Sequence, residues 1–420
     1  MRRFFVFLSL LLVSVGMMAQ DTITVMQYNL LQYGNYQGYG GCSESTNNTQ
    51  HKDECIRDIL DYVKPDILGV CEFGATQQLQ DNFLRNNLNI NGANYWKSDN
   101  IMNGMGSNII NHIFYDSRKM EMKKHVSLPT SPRNVDVYEF YLKTSSLIAG
   151  DTIKLVCIVA HPKAGQNYES SRYATMSTVM NYVGSYYANE NVLIMGDFNM
   201  YRASESGYQI LTKTYGNTSA LFIDPLASEG GVGSWNNNAS FARFHTQSTR
   251  TEGTCFSNGG MDDRFDFILM SDEVSMGSKQ MRYLNGTYKA IGNDGLHFNK
   301  SINQNGNDAV TPQLAQALYD CSDHLPVTMK IRVQAHLGVE EHNIAEGFKV
   351  YPNPTSGVLT LDIVGKATYI ISNVMGQILM SGSINGENQQ INVSALPNGL
   401  YFIRVNGMVS KFVKDSSVAR

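Results

Sequence analysis

One stretch constrains the fold more than any other: the run NVLIMGDFN from Asn191 to Asn199. Its apolar first half includes the β-branched residues Val192 and Ile194, a composition that predicts a buried β-strand. Asp197 and Asn199 lie two residues apart, so in an extended chain their side chains point the same way. A carboxylate and a carboxamide at a strand end suit a hard cation and a phosphate oxygen, although a strand followed by an Asx turn explains the same residues.

Further strand-like runs deliver polar residues in the same way. An acidic side chain at the end of a buried strand, such as Glu72, is costly unless it meets a cation. Asp266 lies between two Phe residues inside a predicted strand, and an acidic residue is rarely buried in such a position without a partner. The polar residues predicted to lie at or beside strand ends are Asn29, Glu72, His161, Asp197, Asn199, Asp266, Asp323 and His324.

Helical patterns separate several of these strands. Apolar residues at helical spacing and flanking breakers predict helices over 53–63, 76–87, 170–187 and 207–215. Strands that alternate with helices and loops, and that carry their polar groups at their ends, indicate a layered α/β body with a single cleft.

The residue types point to phosphate chemistry. Glu72 is predicted to hold a divalent metal, and Asp323 to orient His324 as a general base that acts on water. Asp197 and Asn199 are predicted to position the phosphate and a nucleophile or leaving group, and His161 to donate a hydrogen bond to the phosphate or to the leaving oxygen. The sequence has no nucleophile elbow, no Cys/His set with zinc spacing and no Gly-rich phosphate loop.

Six short motifs, taken together, resemble the endonuclease/exonuclease/phosphatase superfamily, which includes DNase I. They occur in the family's order and cover residues 21 to about 335: QYNL at 27–30, VCE at 70–72, VAH at 159–161, MGDFN at 195–199, RFDFI at 264–268 and SDHLP at 322–326. The resemblance implies a four-layer αββα sandwich with its active site at one end of two packed sheets.

The resemblance also implies Mg²⁺ dependence, with Mn²⁺ or Ca²⁺ as alternatives. The predicted metal ligands are Glu72, Asn29 and Asp323. The predicted catalytic residues are His161, Asp197, Asn199, Asp266, Asp323 and His324. His161 matches a position that is His in the DNase I and sphingomyelinase branches and Tyr in the apurinic endonucleases, which favours a role outside base-excision repair.

The two ends of the chain predict export. Residues 1–20 have a basic start, an apolar run over 4–13 and a small residue near the expected cut after Ala19 or Gln20, which is typical of a secretory signal peptide. This run is too short to span a bilayer stably, and no later stretch is long and apolar enough to do so. We therefore expect an exported protein without stable membrane insertion.

A small all-β domain is predicted at the C-terminus. Turn residues at short intervals over 347–420 indicate a β-sandwich, and 336–346 is a plausible linker. The YPNP and GLYFIRV segments resemble the C-terminal sorting domain of the type IX secretion system. That resemblance implies the type IX machinery as a partner and a secreted or cell-surface location. An adhesive or carbohydrate-binding β-domain is the alternative.

Six cysteines suit an oxidising destination. Cys42 and Cys55 flank a polar insertion and could pair, and Cys255 and Cys321 lie in loop-like sequence and could pair as well. Cys71 and Cys157 lie in strand-like runs, where buried free thiols are expected.

Charge bears on the substrate. Residues 21–345 contain 25 Lys and Arg against 33 Asp and Glu, a net charge of −8, which argues against a strong nonspecific polyanion binder. The leading hypothesis is a secreted, monomeric, Mg²⁺-dependent phosphodiesterase that degrades extracellular nucleic acid. The alternatives are a sphingomyelinase-type lipid phosphodiesterase, a sugar-phosphate phosphatase and a catalytically inactive binding protein. In a sphingomyelinase, the 229–260 loop with Trp235 would be the part that docks on the membrane.

Overall fold

The computed structural model describes residues 21–36, 41–143, 152–213, 220–255, 257–333, 348–362, 366–374, 376–385, 389–405 and 408–418. The predicted signal peptide, 1–20, and the predicted linker, 336–346, lie outside these described residues. Within them, no helix combines the length and the apolar character that crossing a membrane requires.

The first sheet has seven strands, in the order β11-β13-β1-β2-β4-β3, with β12 paired to β13. β1 and β2 are parallel, so both carry their carboxyl ends to the same edge. The strands are β1 (Thr22–Tyr33), β2 (Ile67–Gly74), β3 (Trp96–Lys97), β4 (Ile109–Asp116), β11 (Met281–Tyr283), β12 (Lys289–Ala290) and β13 (Val327–Val333).

The second sheet has six strands, in the order β5-β6-β7-β8-β10-β9. β7 and β8 are parallel, and β10 runs antiparallel to β8. The strands are β5 (Met120–Leu128), β6 (Val135–Leu142), β7 (Lys154–Ala160), β8 (Val192–Asp197), β9 (Phe222–Ile223) and β10 (Asp266–Ser271).

Helices cover the outer face of each sheet. α1 (Thr49–Val63) and α6 (Pro312–Cys321) pack on the first sheet, and α3 (Glu169–Tyr186) and α4 (Ser206–Thr212) pack on the second. The helix α2 (Gln77–Phe83) continues into a π-helical turn, Leu84–Leu88, and α5 (Asp272–Met276) follows β10. Short 3₁₀ turns occur at Gln166–Tyr168, Ala227–Glu229 and Ala239–Phe244.

Strand alternation produces the four layers. In β1, Val25 points into the core between the two sheets, whereas its neighbour Met26 packs under the helices of the first sheet. In β8, Leu193 likewise faces the other sheet, and Ile194 faces the helices. The predicted four-layer αββα sandwich is therefore confirmed.

The described cysteines pair differently from either predicted possibility. Cys42 is bonded to Cys255, whereas Cys55 and Cys321 are buried free thiols. Because Cys42 and Cys255 are bonded to each other, neither is available to its predicted partner; Cys55 lies on the buried face of α1, and Cys321 is the last residue of α6 rather than part of a loop. The buried free thiols predicted at Cys71 and Cys157 are confirmed.

The C-terminal part is all-β, as predicted. One sheet contains β14 (Lys349–Tyr351), β15 (Val358–Asp362) and β18 (Gln389–Asn392), and the other contains β16 (Lys366–Asn373), β17 (Ile378–Asn385), β19 (Gly399–Val405) and β20 (Met408–Lys414). These strands share a core that includes Leu359, Ile371, Ile403 and Phe412.

Candidate active site

The predicted polar residues converge at one edge of the two packed sheets. Asn29 and Glu72 come from the first sheet, Asp197 and Asp266 from the second, and His324 from the segment that enters β13. Hydrogen bonds or ionic contacts within 3.9 Å link these five residues, together with His161, into one cluster. All six belong to the set that the sequence singled out, although Asn29 and Glu72 lie before the ends of β1 and β2, and Asp266 begins β10 rather than lying inside it.

Glu72 is placed by an irregularity in β2. Its φ of 55° lies in the left-handed region, and the pairing with β4 shifts register there. Its carboxylate accepts hydrogen bonds from the backbone N–H of Gln32 at 3.1 Å and from the Gln32 amide at 2.7 Å. Burial acts to raise the pKa of Glu72, but the neighbouring His161, His324 and Arg133 outweigh it and hold this pKa below its usual value.

Asn29 bridges the two carboxylates nearest to it. Its Nδ2 donates to Oδ2 of Asp197 at 3.0 Å and to Oε1 of Glu72 at 3.2 Å. Its Oδ1 accepts the backbone N–H of Leu31 at 2.9 Å, which uses one of the two lone pairs of this oxygen. The role of Asn29 as a metal ligand stays a prediction.

Asp197 reaches the site because two parallel strands approach very closely. A Cβ on Gly196 would lie 1.7 Å from the carbonyl oxygen of Ala160, so glycine is required where β8 passes the end of β7. This approach brings His161 and Asp197 together, with Nε2 and Oδ2 3.3 Å apart. Burial acts to raise the pKa of Asp197, but the two nearby histidines outweigh it and hold this pKa well below its usual range.

Asn199 completes this corner of the site. Its φ of 51° is left-handed, and its backbone N–H donates to Oδ1 of Asp197 at 3.0 Å. Its side-chain amide nitrogen lies 3.4 Å from the carbonyl oxygen of Pro162. A turn therefore links Asp197 and Asn199, not the extended chain on which the prediction for their side chains was based.

His161 is held from its far side by Arg133, which the sequence analysis did not identify. Nη1 of Arg133 lies 2.7 Å from Nδ1 of His161. Because a guanidinium can only donate, Nδ1 accepts, and the neutral imidazole carries its proton on Nε2. Burial, followed by the charge of Arg133, lowers the pKa of His161, which favours this neutral form. Nε2–H therefore points toward Asp197 as a donor.

The partner that orients His324 is Asp266, not Asp323 as predicted. Nδ1 of His324 lies 2.7 Å from Oδ2 of Asp266, whereas Oδ1 of Asp323 lies 3.9 Å from Nε2. Adjacent residues on an extended chain point in different directions, so Asp323 does not reach Nδ1 of its own neighbour. Burial acts to lower the pKa of His324, but Asp266 and Asp197 outweigh it and raise this pKa well above its usual value.

Asp323 lies on the other side of the imidazole. Its Oδ2 accepts the backbone N–H of Ser257 at 2.8 Å, and the Gln247 amide lies 3.4 Å from the same oxygen. Its Oδ1 is buried and has no hydrogen-bond partner among the described residues. This unsatisfied acceptor faces the site and is suited to a water molecule, a substrate hydroxyl or a cation.

Gln247 is a second residue that the sequence did not single out. Its side-chain nitrogen lies 2.7 Å from Nε2 of His324, so it donates to that atom when the imidazole is neutral. It lies in the long polar segment 229–260, where no residue pattern distinguishes it. Arg133 likewise lies in a short loop before β6, without a motif of its own.

A divalent cation fits this edge of the sheets. Ligand atoms of Glu72, His161 and Asp197 all lie within 4.8 Å of one another. Because Nε2 of His161 carries a proton, the oxygens of Glu72 and Asp197 are the available ligands. Mg²⁺ suits such a pair, since it binds through one or two carboxylates and takes its remaining ligands from water and substrate phosphate. The predicted ligand Asp323 lies beside His324, outside this group of three.

The C-terminal domain has a clear relative among protein families. Residues 349–418 match the family described as "Secretion system C-terminal sorting domain". The resemblance that the sequence indicated for this part of the chain is confirmed. No curated protein matches the sequence.

Several solved structures are similar in fold to the larger part of the chain. One is zebrafish (D. rerio) TDP2 complexed with single strand DNA product, with 12% identity, coverage of 74% of this chain and 99% of that one, and a TM-score of 0.46. Another is the human Nocturnin catalytic domain with bound sulfate anion, with 14% identity, coverage of 75% and 98%, and a TM-score of 0.46.

A third similar structure is an endonuclease/exonuclease/phosphatase family protein from Bacteroides thetaiotaomicron, with 14% identity, coverage of 75% and 99%, and a TM-score of 0.44.

Proposed function

We propose that this chain is an exported, metal-dependent phosphodiesterase whose most favoured substrate is nucleic acid. The observation that carries the proposal is the arrangement around Asp197. A histidine held by a carboxylate, His324 with Asp266, approaches Asp197 from one side at 3.6 Å, and a second histidine, His161, approaches it from the other at 3.3 Å. Two differently tuned imidazoles on either side of a carboxylate cluster suit hydrolysis of a phosphate ester.

His324 has the role of general base. Asp266 fixes Nδ1, so Nε2 faces the cluster and accepts a proton from water when the imidazole is neutral. The Gln247 amide occupies Nε2 in the structure, and an incoming water or substrate would replace that contact. Asp266 stabilises the imidazolium that proton transfer produces.

His161 has the complementary role of donor. Its Nε2–H, set by Arg133, can donate to a phosphate oxygen that approaches Asp197. Asn29 and Asn199 hold the neighbouring carboxylates in place by the contacts described above. A divalent cation at Glu72 and Asp197 would neutralise charge on the phosphate and polarise its P–O bonds.

The structure disfavours the lipid alternative in one respect. Trp235, the tryptophan that a membrane-docking loop would use, is fully buried, and its Nε1 donates to the carbonyl oxygen of Met200 at 2.7 Å. It therefore has no free aromatic face to insert into a bilayer. A sugar-phosphate phosphatase remains the second candidate, because the same cluster would serve a phosphomonoester.

The C-terminal domain is proposed to direct type IX export to the cell surface or the medium. The match over 349–418 supports this role, and the predicted catalytic residues all lie earlier in the chain. The net charge of −8 over residues 21–345 suits an enzyme that releases its substrate rather than one that retains it by charge.

One assay separates the candidates. Purified protein is incubated with plasmid DNA, RNA, sphingomyelin and a sugar phosphate, first with Mg²⁺ and then with EDTA, with His324→Ala as the matched control. Mg²⁺-dependent cleavage of nucleic acid that His324→Ala lacks supports the proposal. Cleavage of sphingomyelin or sugar phosphate alone assigns one of the alternatives, and inactivity on all four leaves an inactive binding scaffold.

A further inference from the structure

A second cluster of metal-ligating groups lies away from the active site, where α1 meets α6. His51 and Cys55 are separated by one helical turn on α1, so their side chains share a face. Asp320 projects toward them from α6. Nε2 of His51 lies 3.9 Å from Sγ of Cys55 and 3.8 Å from Oδ2 of Asp320, and one ligand atom from each residue lies within 4.8 Å of the other two.

These separations are close to those of a tetrahedral zinc site. With Zn–S near 2.3 Å and Zn–N or Zn–O near 2.1 Å, adjacent ligand atoms lie about 3.4–3.6 Å apart. The two distances from Nε2 of His51 are a few tenths of an ångström longer, and the Cys55 and Asp320 ligand atoms lie within 4.8 Å of each other. The His51 side chain is 55% exposed, so an ion could enter from solvent while Cys55 supplies a buried ligand.

A carboxylate also lies near the far side of the imidazole. Nε2 of His51 faces Cys55 and Asp320, and Oε2 of Glu54 lies 3.7 Å from Nδ1, which is longer than a hydrogen bond. A carboxylate behind a ligating histidine is the usual outer contact of protein zinc sites, because it fixes the tautomer and raises ligand basicity. An imidazolium that bridges Glu54 and Asp320 as an ion pair is the competing explanation.

Binding would require Cys55 to lose its thiol proton, because the thiolate is the form that ligates a metal. A divalent cation at this position would replace that proton and lie next to the Asp320 carboxylate.

We propose that His51, Cys55 and Asp320 form a zinc-class metal site that links α1 to α6. Thiolate, imidazole and carboxylate together select Zn²⁺ over Mg²⁺, in contrast to the oxygen ligands of the active site. Three protein ligands leave one position for water. The sequence shows no zinc spacing because the third ligand comes from a helix near the end of the domain.

Cobalt substitution tests the site without reference to activity. The full-length protein is freed of metal with a chelator, without reductant, and titrated with Co²⁺. A cobalt–thiolate charge-transfer band at one equivalent, which Zn²⁺ then bleaches, is expected. Cys55→Ser should abolish the band, and His51→Ala should weaken Co²⁺ binding at least tenfold. Zn²⁺ should raise the Tm of the wild type but not that of His51→Ala.

Three control variants locate the signal. Glu72→Gln, in the active site, and Cys157→Ser, in the core between the sheets, should both keep the band. Cys321→Ser tests the neighbouring buried thiol and should keep it as well. A missing band, or one that survives in Cys55→Ser, overturns the proposal and leaves an ion-pair network only. His51→Ala changes an exposed side chain, so it tests the site even if Cys55→Ser folds poorly.

Discussion

Arg133 places its guanidinium 2.7 Å from Nδ1 of His161 and so determines which nitrogen of that imidazole carries the proton. The two residues lie in different segments of the second sheet, the first before β6 and the second after β7. The antiparallel pairing of these strands brings them together. Arg133 is thus a positioning residue that acts through His161.

Arg133→Gln should lower kcat by about 10²-fold, because the amide can present its oxygen to Nδ1 and so permit the opposite tautomer. The chemical shifts of the His161 ring nitrogens, measured by NMR on labelled protein, should move toward that tautomer. Arg202→Gln removes an exposed ion pair with Glu169 and serves as the control. Unchanged ring shifts in Arg133→Gln would show that Arg133 does not set the tautomer.

His324→Ala should lower kcat by several orders of magnitude and leave substrate binding largely intact, since it removes the base alone. The measurement is steady-state kinetics on the substrate found in the assay above. If the variant keeps more than about a tenth of wild-type kcat, a loss below ~1.4 kcal/mol, His324 is not the base.

Asp266→Asn should shift the acidic limb of the pH–rate profile to lower pH. The base must be neutral, so activity rises as pH passes the pKa of His324, which Asp266 and Asp197 raise. Removing the Asp266 charge destabilises the imidazolium and lowers that pKa. Asp323→Asn should shift the limb less, because that carboxylate lies 3.9 Å from Nε2 and does not bond Nδ1. If the acidic limb shifts more in Asp323→Asn than in Asp266→Asn, Asp323 rather than Asp266 orients His324.

Glu72→Gln should remove most activity and weaken Mg²⁺ binding by about tenfold or more, since it takes one of two carboxylates from the cation. The fold should persist, because the amide can still accept from Gln32. Calorimetric Mg²⁺ titration and circular dichroism provide the two readouts, with the exposed Glu121→Gln as the control. Wild-type Mg²⁺ dependence in Glu72→Gln would remove this residue from the ligand set.

Lys52 is expected to make the free energy of unfolding depend on pH in the alkaline range. Its buried ammonium donates to the carbonyl oxygens of Leu30 and Leu31 at 2.6 and 2.8 Å, and burial lowers its pKa to about 8. The unfolded chain, with a lysine pKa near 10.4, binds more protons between these values, so stability rises with pH across that window. Below about pH 8 both states are protonated and the full cost of burying the charge is present.

The free energy of unfolding of the wild type, relative to Lys52→Met, should therefore increase by up to about 3 kcal/mol between pH 8 and 10.5. Denaturant unfolding of both proteins across this range measures the difference. Lys330→Met, at an exposed position, should show no such trend. A constant difference between the wild type and Lys52→Met would mean that Lys52 titrates normally.

Deleting residues 346–420 should block delivery to the cell surface or medium and leave hydrolysis by the purified catalytic domain unchanged. Cell fractionation and the nuclease assay measure the two effects separately. If the truncated domain is well folded but inactive, hydrolysis also requires the C-terminal domain, and the predicted separation of hydrolysis from export is wrong.

Much of the site was predictable because strand ends leave a local signature. The β-branched run before Gly196 predicted β8 and the position of Asp197, and Asp266 stood out between two Phe residues. A polar residue directly after an apolar, β-branched run can be recognised in a single sequence, because both signals are local.

Contacts across the fold were not predictable in the same way. Asp266 and His324 are 58 residues apart, and their pairing depends on how β10 and the segment before β13 meet. Arg133 and Gln247 have no local pattern, because each acts on a histidine supplied by another segment. The helix α6 was missed although Thr311 caps it and Pro312 begins it, both of which are local signals.

The Cys42–Cys255 bond joins the chain after β1 to the segment that carries Ser257, whose N–H donates to Asp323 beside His324. Such a bond forms in oxidising compartments and is absent from the reducing cytosol. Before export, therefore, noncovalent contacts alone hold this rim of the site. A hydrolase directed at nucleic acid would thus acquire the last covalent constraint on its site only after leaving the compartment that holds its own cell's genome and transcripts.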